Sequence, residues 1–166
     1  MAAFTLRALA PEQILSVYPL IREAMPAVDL TAWMNFARHL TGRRSSHNGI
    51  MAAWREGRPF PCGLFCYRVD KTLGQGKVLI AEYFVAVDLL DPKAVLAALV
   101  EELDDLGHRL GCNAVRSVVH GGTPEVAGGL VAAGHAPEAS LLLKGLAVGA
   151  AGRGWHAPPR DTASRP

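Results

Sequence analysis

Residues 77–120 read KVLIAEYFVAVDLLDPKAVLAALVEELDDLGHRLGCNAVRSVVH, and their changing periodicity decides the fold. The first part, 77–87, is dense in Val, Ile, Tyr and Phe and reads as the strongest strand in the chain. Asp91 followed by Pro92 is a helix start, with a side-chain acceptor for the first free amides and a proline where an N–H is not needed. Val95, Leu96, Leu99, Leu103, Leu106 and Leu110 then form one apolar stripe, with Glu101, Glu102, Asp104 and Asp105 outside it. Gly111 closes that helix, and 113–120 is a strand again. A strand, a helix and a strand in this order predict parallel neighbours joined by a right-handed crossover.

Working outward, Phe4, Leu6 and Ala8 alternate as a strand, and Pro11 opens a segment with Ile14, Leu15, Tyr18 and Ile21 at helical spacing. Pro19 is expected to kink or split this helix, Pro26 to end it, and Asp29 or Thr31 to start a second one through Trp33, Phe36, Ala37 and Leu40. Residues 43–48 read as a polar loop. Residues 50–54 and 62–69 form the arms of a hairpin around 56–58, and a turn at 73–76 leads into 77–87. Pro59 and Pro61 make the start of the second arm irregular, because neither donates to a ladder. Downstream, Thr123-Pro124-Glu125 starts a helix that ends near Gly134, and 138–146 reads as a final strand. The expected architecture is an α/β domain with a mixed sheet: strand, two helices, a three-strand meander, helix, strand, helix, strand. It spans 1–148, and the Gly-, Ala-, Pro- and Arg-rich residues 149–166 are expected to be a disordered tail.

At 166 residues the chain is long enough for one substantial core. Its 17 basic and 15 acidic residues leave a formal charge of +2 without a basic aromatic surface, which disfavours nucleic acid as a partner. A mean hydropathy of +0.18 is high, yet the apolar runs are alanine-rich and broken by charge, so no membrane span is expected. Cys62, Cys66 and Cys112 cannot all pair, and no metal-ligand spacing is present, so neither a disulfide framework nor a metal is expected. Without a secretory pattern at residue 1 onward, the expected compartment is the cytoplasm.

The order of elements over 4–146 resembles the GNAT superfamily of N-acetyltransferases. Leu79 to Val87 is similar to that family's central strand, which in the histone-acetylating branch carries an acidic residue at the position of Glu82. Ala133-Gly134-His135 followed by Leu141 to Leu146 resembles its closing pattern. The resemblance implies acetyl-CoA or another acyl-CoA as cofactor, its pantetheine added in β fashion to the backbone of Phe84, Val85 and Ala86. It also implies a small-molecule or protein amine as acceptor. A homodimer or a protein partner stays open.

Three departures bear on the cofactor. The family's glycine-rich pyrophosphate turn is here Asp88-Leu89-Leu90-Asp91-Pro92-Lys93, with no glycine, one amide lost to proline, and an acidic cap. Lys93 would offset part of that charge. A tyrosine four residues before the closing glycine is replaced by Leu130, and the asparagine that often begins the last helix by Thr123. Weak or absent acyl-CoA binding is the expectation.

Among side chains, Glu82 on the central strand reads as a general base with a raised pKa, or else as a carboxylate facing solvent or paired to Arg68 or Arg116. His120 ends a strand at the carboxyl edge of the sheet, where ligands gather, and reads either as an acid or base or as an ordinary loop histidine. Cys62 and Cys66 are an even number apart, so they are expected on one face, with Tyr67 opposite, as small buried residues. Trp33, Phe36 and Trp54 are core residues or the wall of an acceptor pocket. The two functions in view are an acyl-CoA-dependent N-acetyltransferase and a non-catalytic module of the same shape that binds a protein or another ligand.

Overall fold

The run that reads as the strongest strand in the sequence is an internal strand of the sheet, one in from its edge. In the computed structural model, described over residues 4–42, 47–88, 91–120 and 124–146, β4 (Gly76–Ala86) lies between β3 (Pro61–Thr72) and β5 (Ala114–Val118). Asp91 Oδ1 accepts from Ala94 N at 3.0 Å and starts α3 (Pro92–Arg109), whose apolar stripe is buried from Val95 to Leu106. Gly111 leaves the helix at φ 65°, a left-handed conformation that favours glycine. The chain then returns as β5, parallel to β4, in register from Val78↔Ala114 to Glu82↔Val118. This is the predicted crossover.

β1 (Phe4–Ala8), β2 (Asn48–Arg55), β3 and β4 are antiparallel in that order, so the sheet reads β1-β2-β3-β4-β5. It is a mixed five-stranded sheet with four α-helices among the described residues. Two apolar cores lie on its two faces. α3 and α4 (Pro124–Ala132) cover one face, packing Leu99, Leu103 and Leu130 on Phe65, Leu79 and Phe84. α1 (Tyr18–Ala24) and α2 (Leu30–Thr41) cover the other, packing Ile21, Trp33 and Ala37 on Ile50, Leu64 and Cys66. α3 approaches β3 so closely that a Cβ on Gly63 would lie 2.6 Å from Val95 Cγ1 and 2.9 Å from Val85 O.

Pro19 splits the first helical segment as expected: 3-10 turns at Pro11–Gln13 and Leu15–Val17 precede α1, with the proline in its first turn. Asp29 caps α2, accepting from Ala32 N at 2.7 Å. No described helix is long and apolar enough to cross a membrane.

Two expectations need correction. Cys62 and Cys66 lie on opposite faces, Cys62 against the α3 core and Cys66 within the α1/α2 core, although Tyr67 does lie opposite Cys66. The register slips between Ala53 and Trp54, so two residues of β3 oppose one step of β2 and the facing of Cys62 is inverted. The final strand at 138–146 is not formed: the chain divides after His135, and 136–146 contains neither strand nor helix. A strand exists only through its partner, and local alternation supplies none. Residues 43–46 of the expected loop and the tail at 149–166 lie outside the described residues.

Candidate functional site

The site is a fork. β4 and β5 pair as far as Glu82↔Val118, after which β5 ends while β4 continues to Ala86. The parting coincides with a bulge. Between Leu64 and Cys66 of β3 the register with β4 shifts, and Tyr83 sits at φ 58°, the one described non-glycine residue with positive φ. Such a conformation costs about 1 kcal/mol or more for a bulky side chain and is kept where packing enforces it.

Beyond the fork a cleft of about 1250 Å³ opens, walled by Phe84, Val85, Ala86 and Val87 of the β4 end, by Leu96 of α3 and by Gly129 of α4. Val87 N–H bonds to Cys62 O at 2.8 Å, so by ladder alternation the main-chain groups of Ala86, and then Phe84, turn toward the side that β5 has left. The main chain of Val85 faces Leu64 of β3 instead. Pro92 and Lys93 line the cleft at the start of α3, with Glu101, Asp104 and Glu125 on its rim.

Acidic side chains hold the turn before α3. Asp88 Oδ2 accepts from Arg55 Nε at 2.9 Å, Asp88 Oδ1 accepts from Asp91 N at 3.2 Å, and Asp91 Oδ1 takes Ala94 N. Two amides around the helix start are therefore already satisfied, and Pro92 lacks a third. Leu89 and Leu90 lie outside the described residues.

On the other face, Glu82 accepts from Arg68 Nη1 at 2.6 Å, with the Glu82 side chain 22% exposed. Of the two arginines expected as partners, Arg68 is the one that pairs with Glu82. Tyr83, turned by its positive φ onto the same face as Glu82, stacks on His120 at 4.8 Å and 16° and meets the edge of Phe36 at 5.3 Å. Burial first, and then the negative charge of Glu82, push the Tyr83 hydroxyl pKa upward. Burial and Glu82 do the same more strongly to the Cys66 thiol, which makes it a poor nucleophile.

The structure therefore brings Phe84, Val85, Ala86 and Lys93 to one cleft, whereas Glu82 and His120 do not line it and lie on the α1/α2 side where β4 and β5 part. Trp33 and Trp54 are core, and Trp33 Nε1 donates to Ile14 O at 2.9 Å. Phe36, 37% exposed, is the aromatic of that group that reaches the site. Tyr83 was not marked by any feature of the sequence, since inside an apolar strand it looks like packing.

Solved structures share this arrangement of elements. An aminoglycoside N-acetyltransferase solved in complex with CoA superposes with a TM-score of 0.71 at 12% identity, covering 88% of this chain and 96% of its own. The chain has the GNAT fold. Glucosamine-6-phosphate N-acetyltransferase from Arabidopsis thaliana is similar at a TM-score of 0.67 and 15% identity over 86% of this chain and 97% of that one. A transcriptional regulator from Bacillus halodurans C-125 is equally similar, with a TM-score of 0.72 at 10% identity over 87% and 100%. No protein-family profile matches the sequence, and no match to it is found among curated proteins. Leu130 is 3% exposed and packed in the α3 core.

Proposed function

We propose that this chain is an acyl-CoA-dependent N-acyltransferase. The observation that carries the reading is the fork: β4 leaves β5 immediately after Glu82, opening main-chain groups and a cleft whose wall begins two residues further on, at Phe84. Phe84 and Ala86 would take the pantetheine amides as an added strand would, with Val85 as the wall between them and Lys93 facing the phosphates. The thioester supplies the activated acyl group. Glu82, its carboxylate oriented by Arg68, takes the proton of the amine, directly or through water, as nitrogen attacks the carbonyl carbon. The C–N bond forms, the C–S bond breaks, and coenzyme A departs as thiolate. His120, stacked on Tyr83 at the same fork, is read as a second acid or base. The acceptor is an amine, on a small molecule or a protein, and the expected compartment is the cytoplasm.

The turn before α3 sets the affinity. With Asp88 and Asp91 occupying amides that a pyrophosphate would use, acetyl-CoA binds weakly, with a dissociation constant above about 100 μM. Isothermal titration calorimetry with acetyl-CoA tests the reading: saturable binding, even weak, supports it. No binding into the millimolar range would instead favour a non-catalytic module for a protein partner, a reading to which the same two aspartates and the buried Leu130 lend support.

A further inference from the structure

Glu82 closes the β4–β5 ladder, and the cleft begins past it, at Phe84. The Glu82 side chain shares the α1/α2 face with Cys66 and Arg68, whereas the cleft is walled chiefly by α3 and α4 on the other face. Elsewhere the strands are hydrogen-bonded to one another and nothing passes between them. If Glu82 deprotonates the attacking amine, the acyl carbon must lie at the fork, next to whatever spans it on the α1/α2 side.

What spans it is a pair of rings. Tyr83 is the first residue of β4 after the last ladder pair, and His120 follows β5 by two residues. Alternation from Val118 returns His120 to the α1/α2 face, and the bulge places Tyr83 there as well. Stacked at 4.8 Å, the rings bridge strands whose backbones have parted, and Phe36 of α2 braces Tyr83 edge-on at 5.3 Å. Trp33, buried in the core, stands behind Phe36 at 6.3 Å and backs the wall, while Phe36 and His120 each keep an exposed side.

We propose that Tyr83, held between His120 and Phe36, is a specificity-determining residue that closes the far end of the acyl site and restricts the donor to short acyl groups such as acetyl. This rests on the acyltransferase reading above. The strained φ of Tyr83 then has a use: a regular strand would point this ring into the α3 side, leaving the fork open.

Calorimetric affinities for coenzyme A, acetyl-CoA and octanoyl-CoA test it without an acceptor. The unaltered protein should bind acetyl-CoA at least about tenfold more tightly than octanoyl-CoA, because a chain longer by several methylenes meets the ring of Tyr83. Tyr83→Ala should tighten octanoyl-CoA by about tenfold while acetyl-CoA stays within about threefold. Tyr83→Phe, which keeps the ring, should behave as the unaltered protein. His120→Ala opens the same stack from the β5 side and should shift selectivity in the same direction, which covers the case of a Tyr83→Ala chain that fails to fold. Equal affinity of the unaltered protein for the two acyl-CoAs, or an unchanged ratio in folded Tyr83→Ala and His120→Ala, overturns the assignment of Tyr83. Failure of all three ligands to bind at millimolar concentration overturns the acyltransferase reading itself, and the assignment with it.

Discussion

Arg68 on β3 donates from Nη1 to the carboxylate of Glu82 on β4 at 2.6 Å, across two neighbouring strands and at the last ladder pair before the sheet forks. The pair is partly exposed, so its net contribution to stability is small, about 0–1 kcal/mol. Its consequence is for orientation. Glu82→Gln should lower kcat/KM for acyl transfer by about 10²–10⁴-fold, the range for loss of a general base, with acetyl-CoA affinity within about twofold of the original. Steady-state rates of coenzyme A release, alongside calorimetry, separate these two effects. An unchanged rate would remove Glu82 from the chemistry.

Asp91 caps α3 through Ala94 N–H, at the helix start that the proposed function gives to a pyrophosphate. Replacing it with glycine removes a negative charge and frees Ala94 N–H, at a cost to the cap of only a few tenths of a kcal/mol. Asp91→Gly should therefore bind acetyl-CoA about tenfold more tightly while its melting temperature changes little. Weaker binding in a folded Asp91→Gly protein would mean that the turn contributes through Asp91 and not despite it.

Gly63 marks the closest approach of α3 to the sheet. A methyl group there would meet Val95 Cγ1 at 2.6 Å and the Val85 carbonyl at 2.9 Å, and the carbonyl belongs to a strand that cannot yield. Gly63→Ala should destabilise the fold by about 1–3 kcal/mol, read from the urea midpoint, and should disturb the cleft by displacing Val85. A stability within about 0.5 kcal/mol of the original would show that α3 moves freely over β3.

Cys66 gives the fold a pH dependence at the alkaline end. Its thiol is pushed upward from an ordinary value of 9.0 by burial and by Glu82, so the folded state keeps the proton that the unfolded chain releases. Stability is then fully present below about pH 9 and falls as pH rises above it, by up to about 1.4 kcal/mol per unit for one group. Tyr67 and Tyr83, both raised chiefly by burial, add to the decline above about pH 10. Urea melts at pH 8 and pH 10.5 should show the loss, and Cys66→Ala should reduce it. A loss unaltered by Cys66→Ala would place its origin elsewhere.

Much of this molecule is present in local sequence. The crossover from β4 through α3 to β5 follows from a β-rich run, an Asp-Pro start and a stripe repeating every three to four residues, all of them properties of neighbours along the chain. Glu82 stood out for a similar reason, as a carboxylate within an apolar strand, and its two arginine alternatives were both on adjoining strands. The tertiary structure decided what depends on register. The slip beside Ala53 reversed Cys62, the bulge at Tyr83 turned a ring that looked like packing toward His120, and 138–146 formed no strand despite its apolar run. The first two are set by one residue gained or lost against a neighbouring strand, and the third by the lack of any partner strand. Hydrophobic alternation within a strand is the same whether or not that residue is inserted, so the information exists only once the strands have met.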